Sequence, residues 1–216
     1  MSNASVVAKK AEIAREYGPF SGVEQVAGVT FDGERAWLAT GTQLLAVDPE
    51  TGEPGQRFDV AADAGTAFDG KHFYQLTGAT IQKLDAKTGK LLGTIPAPGN
   101  GGDSGMAWAE GSLWVGQYRA RKIHCVDPET GKILRTIESD RFVTGVSFFE
   151  GELWHATWEA EQSELRRVDS ATGEVLERLE MPPGLTISGL ENDGKEQFFC
   201  GGGSSGKLRA VRKPRR

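Results

Sequence analysis

Three side chains in this 216-residue sequence have the types and neighbours that proton-transfer chemistry uses: His155, Glu159 and Asp103. The run His155-Ala-Thr-Trp-Glu159 puts an imidazole and a carboxylate at the two ends of one short segment. Histidine titrates near ~6.5, which suits it to general acid–base work, and Glu159 would orient it or act as base. The same residues also serve as a packed, hydrogen-bonded core histidine and a solvated loop carboxylate, and both readings stand at this level. Asp103 follows Gly101-Gly102 and precedes Ser104, a stretch whose missing side chains let the backbone come close to a ligand. With Glu191, Asp140 and Asn100 it offers an all-oxygen donor set of the kind that takes Ca²⁺ or Mg²⁺. No ligand spacing fixes such a site, so no cofactor is required.

A second group of residues suits substrate binding. Gln117, Tyr118, Arg119 and Arg121 crowd one segment, and arginine there fits a carboxylate or phosphate through paired hydrogen bonds. A solvated rim is the plainer alternative. Trp158 and Tyr118 are aromatics that a recognition surface would expose. The run Cys200-Gly-Gly-Gly-Ser-Ser-Gly206 offers backbone N–H groups and hydroxyls to an anion. It is not a phosphate loop of the Gly-Lys-Ser/Thr kind, and no helix opens after it. Ser204 or Ser205 as nucleophile needs a base, for which His155 is the candidate, and Cys200 is either its partner or a buried inert thiol. His72 and His124 receive no role. Three scattered histidines and two cysteines do not make a tetrahedral zinc site.

The elements that must hold these residues repeat. Val47-Asp-Pro-Glu-Thr-Gly52 recurs as Leu84-Asp-Ala-Lys-Thr-Gly89, Val126-Asp-Pro-Glu-Thr-Gly131 and Val168-Asp-Ser-Ala-Thr-Gly173. The aspartates Asp48, Asp85, Asp127 and Asp169 are spaced by 37, 42 and 42 residues. Ahead of each phrase comes Asp-Gly or Glu-Gly and an aromatic-rich run, and a fifth such pair sits at Asp193-Gly194 with Phe198-Phe199. Each copy reads as strands A to D, the third being residues 105–108, 113–117, 122–126 and 133–138. Asp-Gly between apolar runs predicts type I′ hairpins, with positive φ at both central residues. A period near 40 with four strands per unit is the mark of a β-propeller. Five copies predict an all-β, five-bladed β-propeller of four-stranded antiparallel blades over residues 1–216 as one domain. The blades fall near 19–60, 61–98, 99–140, 141–182 and 183–212 with 9–18.

That last boundary carries a prediction. The fifth copy ends after its third strand, so the N-terminal run around residues 10–17 is expected to complete it, although its local propensity is helical. A ring closed this way leaves no open sheet edge between first and last blades. The uniform turns A–B and C–D then share one face. The variable D–A and B–C loops share the other, where binding residues gather. All the candidate residues above fall near that second face.

Composition sets outer limits. Hydrophobic residues are 38% and charged residues 25%, as in an ordinary globular chain. Glycine, at 29 of 216, is about twice the usual share of about 7% and answers the demand for sharp turns. No apolar run approaches the ~18 residues of a membrane span. The start lacks the apolar stretch of a signal peptide, so cytoplasmic residence is the expectation. Net charge −5 argues against general nucleic-acid binding. Six basic residues between Lys207 and Arg216 read as a solvated tail or an anionic partner's contact.

The stretch Phe142-Val-Thr-Gly-Val-Ser-Phe-Phe-Glu-Gly-Glu-Leu-Trp-His-Ala-Thr-Trp158, followed by a Val-Asp-x-x-Thr-Gly turn, resembles a blade of the bacterial propellers grouped with glutamine cyclotransferases and streptogramin B lyases. The likeness covers residues 19–212 as architecture. Where the cyclotransferases carry a carboxylate, this chain reads Gln25-Val-Ala-Gly-Val and Val143-Thr-Gly-Val. The lyases' repeated strand matches only in its Leu-Trp portion. The resemblance implies a small-molecule or peptide-modifying enzyme, a lyase or cyclotransferase-like transferase, with its site at the channel mouth on the B–C/D–A face. A non-catalytic ligand- or protein-binding propeller is the alternative. The expected partner is a small molecule or peptide, not nucleic acid or membrane, and the expected state is a monomer.

Overall fold

The repeated Asp-x-x-Thr-Gly phrase folds into the same turn four times in the computed structural model, which describes residues 6–214. Asp48 Oδ1 accepts the N–H groups of Glu50 and Thr51 at 2.7 and 2.9 Å, and Asp85, Asp127 and Asp169 do the same for their own turns. The turn's threonine, through its N–H or its hydroxyl, holds each of these carboxyls below its ordinary range. Gly52, Gly89, Gly131 and Gly173 close the turns at φ of 83, 69, 74 and 78°, a left-handed region that other residues enter at a cost.

The A–B turns divide into two kinds. At Glu110-Gly111 and Glu150-Gly151 both residues have positive φ, as a type I′ hairpin requires. At Asp32, Asp69 and Asp193 the expectation fails. There the aspartate side chain accepts N–H groups two and three or four residues on, and only the glycine has positive φ. A short carboxylate can cap its own turn in this way and relieve its residue of left-handed strain.

These turns connect five antiparallel sheets. Blade one is β3 (Gly28–Phe31), β4 (Ala36–Ala39), β5 (Gly41–Val47) and β6 (Pro54–Ala62). Blade two is β7 (Thr66–Phe68), β8 (His72–Thr77), β9 (Thr80–Asp85) and β10 (Leu91–Pro96). Blade three is β11 (Asp103–Ala109), β12 (Ser112–Gln117), β13 (Lys122–Val126) and β14 (Ile133–Glu138). Blade four is β15 (Phe142–Phe149), β16 (Glu152–Glu159), β17 (Gln162–Val168) and β18 (Val175–Glu180). Blade five is β19 (Gly189–Asn192), β20 (Gln197–Gly201), β21 (Leu208–Arg212) and, from the other end of the chain, β2 (Ile13–Tyr17). Among the described residues there is no helix, and so none long and apolar enough to cross a membrane.

The core is five layers, one between each pair of blades. Trp37, Tyr74, Trp114, Trp154 and Phe199 occupy one position of the second strand, and each fills the layer shared with the next blade. At the axis the innermost strands press together. A Cβ on Gly28 would lie 2.5 Å from the Ala64 carbonyl, and one on Gly65 2.5 Å from the Met106 nitrogen. One on Gly105 would meet Gly145 at 2.6 Å, one on Gly145 Leu190 at 2.7 Å, and one on Gly189 Val29 at 2.6 Å. The five glycines therefore form a closed ring, each pressed on the next blade. Part of the glycine surplus is spent here and not in turns.

The predicted closure is present. β2 pairs β21 from Ile13↔Val211 to Tyr17↔Leu208, overriding the local helical preference. Four residues of the basic C-terminal run are committed within this blade: Lys207 and Arg209 to Glu16, Arg212 to Glu12, and Lys213 to Asp193. The solvated-tail reading is corrected for these; Arg215 and Arg216 lie outside the described residues. One element went unpredicted. β1 (Ala8–Lys10) leaves blade five and adds a parallel fifth strand to β18, with Ala8 opposite Arg178.

Candidate functional site

β11 begins with Asp103 and β12 ends with Gln117, and the two stand opposite each other in register. The loop before β11 turns through Asn100 and Gly101 at φ of 47 and 94°, and the loop after β12 runs through Tyr118, Arg119 and Ala120. Between them lies a cavity of about 350 Å³ lined by Asp103, Gln117, Tyr118, Arg119 and the loop glycines. Asp103 Oδ2 accepts the Gly99 N–H at 2.9 Å, while Oδ1 is buried without a hydrogen-bond partner. Burial raises this carboxyl above its ordinary range, against the Gly99 N–H and the Gln117 amide, which favour its charged form. A Cβ on Gly99 would lie 2.5 Å from Asp103 Oδ1, so a larger residue there would displace this carboxyl. Tyr118 is stacked on Phe142 at 4.8 Å, which fixes one wall, and Arg119 is exposed at the rim.

The other candidates are held elsewhere. His155 does not face the channel: it is 2% exposed and lines a cleft between blades three and four. In each second strand the residue after the interface aromatic faces the preceding blade, and His155 follows Trp154. Burial, with the Arg166 charge beside it, pushes its imidazole down to about 4. Glu159 stands four residues further along the same strand, about 13 Å at ~3.3 Å per residue, and pairs with Arg121 at 3.2 Å. The two are therefore not an acid–base pair. Arg121 is committed, also donating to the Asp140 carbonyl at 2.8 Å and lying over Phe142 at 4.5 Å.

Cys200 is fully buried, and burial raises its thiol, so it offers no thiolate. The glycine–serine loop after it is no anion cradle. Its N–H groups at Gly202, Gly203, Ser205 and Gly206 go to backbone carbonyls. The Ser205 hydroxyl donates to the Gly202 carbonyl at 2.7 Å, and Ser204 is exposed on that loop away from His155. Trp158 is half-buried opposite Phe142 in the β15–β16 register. The oxygen donors proposed for a cation are also dispersed: Asp140 is on Arg166, and Glu191 is in the central channel. Among the described residues no group of three or more His, Cys, Asp or Glu side chains converges to hold a metal ion.

The family described as "Outer membrane protein assembly factor BamB" (PQQ_2) matches residues 77–214, well over half of the chain. The chain belongs to this family. No curated protein matches it in sequence. Among solved structures it is similar to Myxococcus xanthus glutaminyl cyclase, with a TM-score of 0.78 at 19% identity over 96% of this chain and 97% of that one. The Myceliophteria thermophila Cps50 (Swd1) β-propeller domain follows at TM-score 0.60 and 9% identity, over 94% and 100%. The WD40 β-propeller domain of Doa1 gives 0.57 and 16%, over 88% and 64%. At these identities the likeness is one of fold.

This propeller carries one titratable group in the ring just inside its five glycines. Glu191, two residues after Gly189, stands between Ser147 of blade four and Thr30 of blade one. Ser147 donates to its Oε1 at 2.8 Å and Thr30 to its Oε2 at 3.3 Å, with both Asn192 N–H groups also on Oε1. Burial outweighs these donors and raises the carboxyl to about 7. The unfolded chain ionises Glu191 near its ordinary value, so folding loses stability as pH rises from about 4.5 to about 7 and regains it on acidification. Glu191→Gln, which keeps the shape, is therefore expected to match wild type at pH 4. At pH 8 it should be more stable by roughly 3 kcal/mol. Urea denaturation of both proteins across that range checks it, and equal stability at both pH values would refute it.

Proposed function

We propose that this protein is an enzyme of the cyclotransferase/lyase-like propeller class, acting on a small molecule or peptide end bound in the blade-three cavity. One observation carries the reading: Asp103, whose Oδ1 is buried without a hydrogen-bond partner, lines a cavity rimmed by Arg119. Unpaired buried oxygens of this kind are costly, and an N–H or ammonium group of a ligand would satisfy it. Arg119 suits a carboxylate on the same ligand. A carboxyl raised by burial is a better proton acceptor than a solvated one, and ring closure or elimination needs such a group and no redox cofactor. The fold likeness to a glutaminyl cyclase supports the class.

A second reading is a binding propeller without turnover. It is favoured by the cavity lining, which holds no other carboxylate and no imidazole, and by a family described as an assembly factor. Asp103→Asn separates the two. Incubation with peptides bearing N-terminal glutamine, followed by mass spectrometry for loss of ammonia, is expected to show turnover in wild type. The variant should be slower by about 10²–10⁴-fold. Ligand-dependent thermal stabilisation without any product supports the second reading; a ligand at 100 times its Kd stabilises by about 2.7 kcal/mol. Undiminished turnover in the variant would refute Asp103 as the proton acceptor.

A further inference from the structure

Blades three and four enclose a separate cavity of about 720 Å³ that none of the proposed chemistry uses. One wall is apolar, from Ile123 and Ile137 of blade three with Val168 and Val175 of blade four. The other is a row across three strands, His155↔Arg166↔Arg178. The same row reads Leu38↔Leu45↔Arg57 in blade one and Gln75↔Gln82↔Thr94 in blade two. It reads Val115↔His124↔Thr136 in blade three and Cys200↔Arg209↔Glu16 in blade five. No other blade sets two arginines opposite each other; here Glu164, bonded to both, offsets the repulsion from the inner side and leaves the outer side of Arg166 to another anion.

Two features of the row point outward to a ligand. His155 is 2% exposed, yet its Nδ1 has no hydrogen-bond partner. Arg166 is 4% exposed, and its Nη1 reaches out of the cleft to the Asp140 carboxylate, whose side chain is 74% exposed. A carboxylate from the chain's own loop thus already occupies the outer face of that guanidinium. We propose that the cleft binds a small organic carboxylate with an apolar body, its headgroup taking Asp140's place on Arg166 and accepting from His155. The apolar body would lie against Val175 and the edges of Ile137 and Val168. The volume falls in the range of small-molecule sites. A neutral imidazole donates from one ring nitrogen, so it can serve a carboxylate without carrying charge. A single negative charge is favoured over a phosphate's two, because Glu138 and Glu174 also line the cleft.

The test is calorimetric titration of the full chain at pH 7 with 3-phenylpropionate and with its neutral amide. The carboxylate is expected to bind at least about tenfold more tightly than the amide. His155→Leu installs the residue that blade one carries at this place and should weaken carboxylate binding about tenfold. Asp140→Asn, a change on an exposed side chain, removes the competitor and should tighten binding severalfold. Asp103→Asn should leave it unchanged, which separates this site from the blade-three cavity. Equal binding of amide and carboxylate, no binding at millimolar ligand, or an unaltered Kd in Asp140→Asn would each overturn the proposal.

Discussion

A chain lacking residues 1–18 is expected to lose cooperative folding at physiological temperature. The deleted run binds three blades at once. β1 pairs with β18 of blade four, with Lys9 bridging to Glu177 at 2.8 Å. β2 supplies the outer strand of blade five. Tyr17, 5% exposed, packs in the layer between blades five and one, and its hydroxyl donates to the Pro49 carbonyl of blade one at 2.8 Å. Without β2, the charged edge of β21 loses Glu12 and Glu16, and Arg209, 4% exposed, is left as an uncompensated buried charge. The contribution can be graded. Removal of residues 1–10 takes β1 and leaves β2 in place, and should lower Tm by a few degrees, whereas Tyr17→Ala should cost about 3 kcal/mol, the usual range for a large buried aromatic. Thermal denaturation by circular dichroism of all three proteins checks the order. A sharp, wild-type-like transition in the 1–18 deletion would show that the ring does not depend on this closure.

That closure was legible because an incomplete fifth copy left a strand-shaped vacancy, and the N-terminal run stands before the first strand A as residues 132–137 stand before the fourth. The four Asp-x-x-Thr-Gly turns were legible for a related reason: each is a local arrangement fixed by its own side chain and glycine. β1 was not. Its three residues carry no apolar pattern, since they join blade four through backbone pairing, and that pairing depends on where the rest of the ring leaves an edge. The five axial glycines do not stand out in the sequence, where the glycine surplus as a whole is laid to turns, because close approach between blades is a tertiary fact that local spacing does not encode.

The site divides the same way. In the sequence, Asp103 and the run Gln117, Tyr118 and Arg119 fall into separate groups; they flank one hairpin, and the Asp103↔Gln117 register is what unites them. His155 stands open in the sequence between a packed core position and a channel-facing acid–base role, although the signal that sets it between blades is present. Each second strand places its aromatic toward the next blade, and a residue one step later must face the previous one. The row His155–Arg166–Arg178 and its buried counter-charge Glu164 could be read only after the registers of β16, β17 and β18 were known, since their members lie eleven and twelve residues apart in sequence. Glu191 was noticed as a possible cation ligand, but its place in the axial ring depends on how blade four and blade one close around it.

Glu164 carries the other large expected effect. It is 2% exposed and receives Arg141 and Arg166 at 2.8 Å each and Arg178 through two nitrogens. Burial alone would raise this carboxyl, but the Arg178 and Arg166 hydrogen bonds, with the nearby Arg141 charge, outweigh it and bring it to about 2. Glu164→Gln keeps the shape and one acceptor oxygen but removes the charge that lets Arg166 and Arg178 sit opposite each other. Breaking a buried pair from one side leaves the other side's charge uncompensated, so the variant should lose about 3–5 kcal/mol at pH 7. The pH dependence identifies the cause. A carboxyl lowered in the folded state contributes its full stability above about 4.5 and loses it progressively as pH falls toward 2. The gap between wild type and variant should therefore be wide at pH 7 and narrow steadily below pH 4.5. The Glu191→Gln difference runs in the opposite direction, so the two variants distinguish a buried carboxylate held by arginines from one held only by neutral donors. A gap for Glu164→Gln that stays constant from pH 7 to pH 3 would mean that lost packing, not lost charge, destabilises the variant. In that case Arg166 and Arg178 would have to be held apart by solvent or by a ligand in the cleft they line.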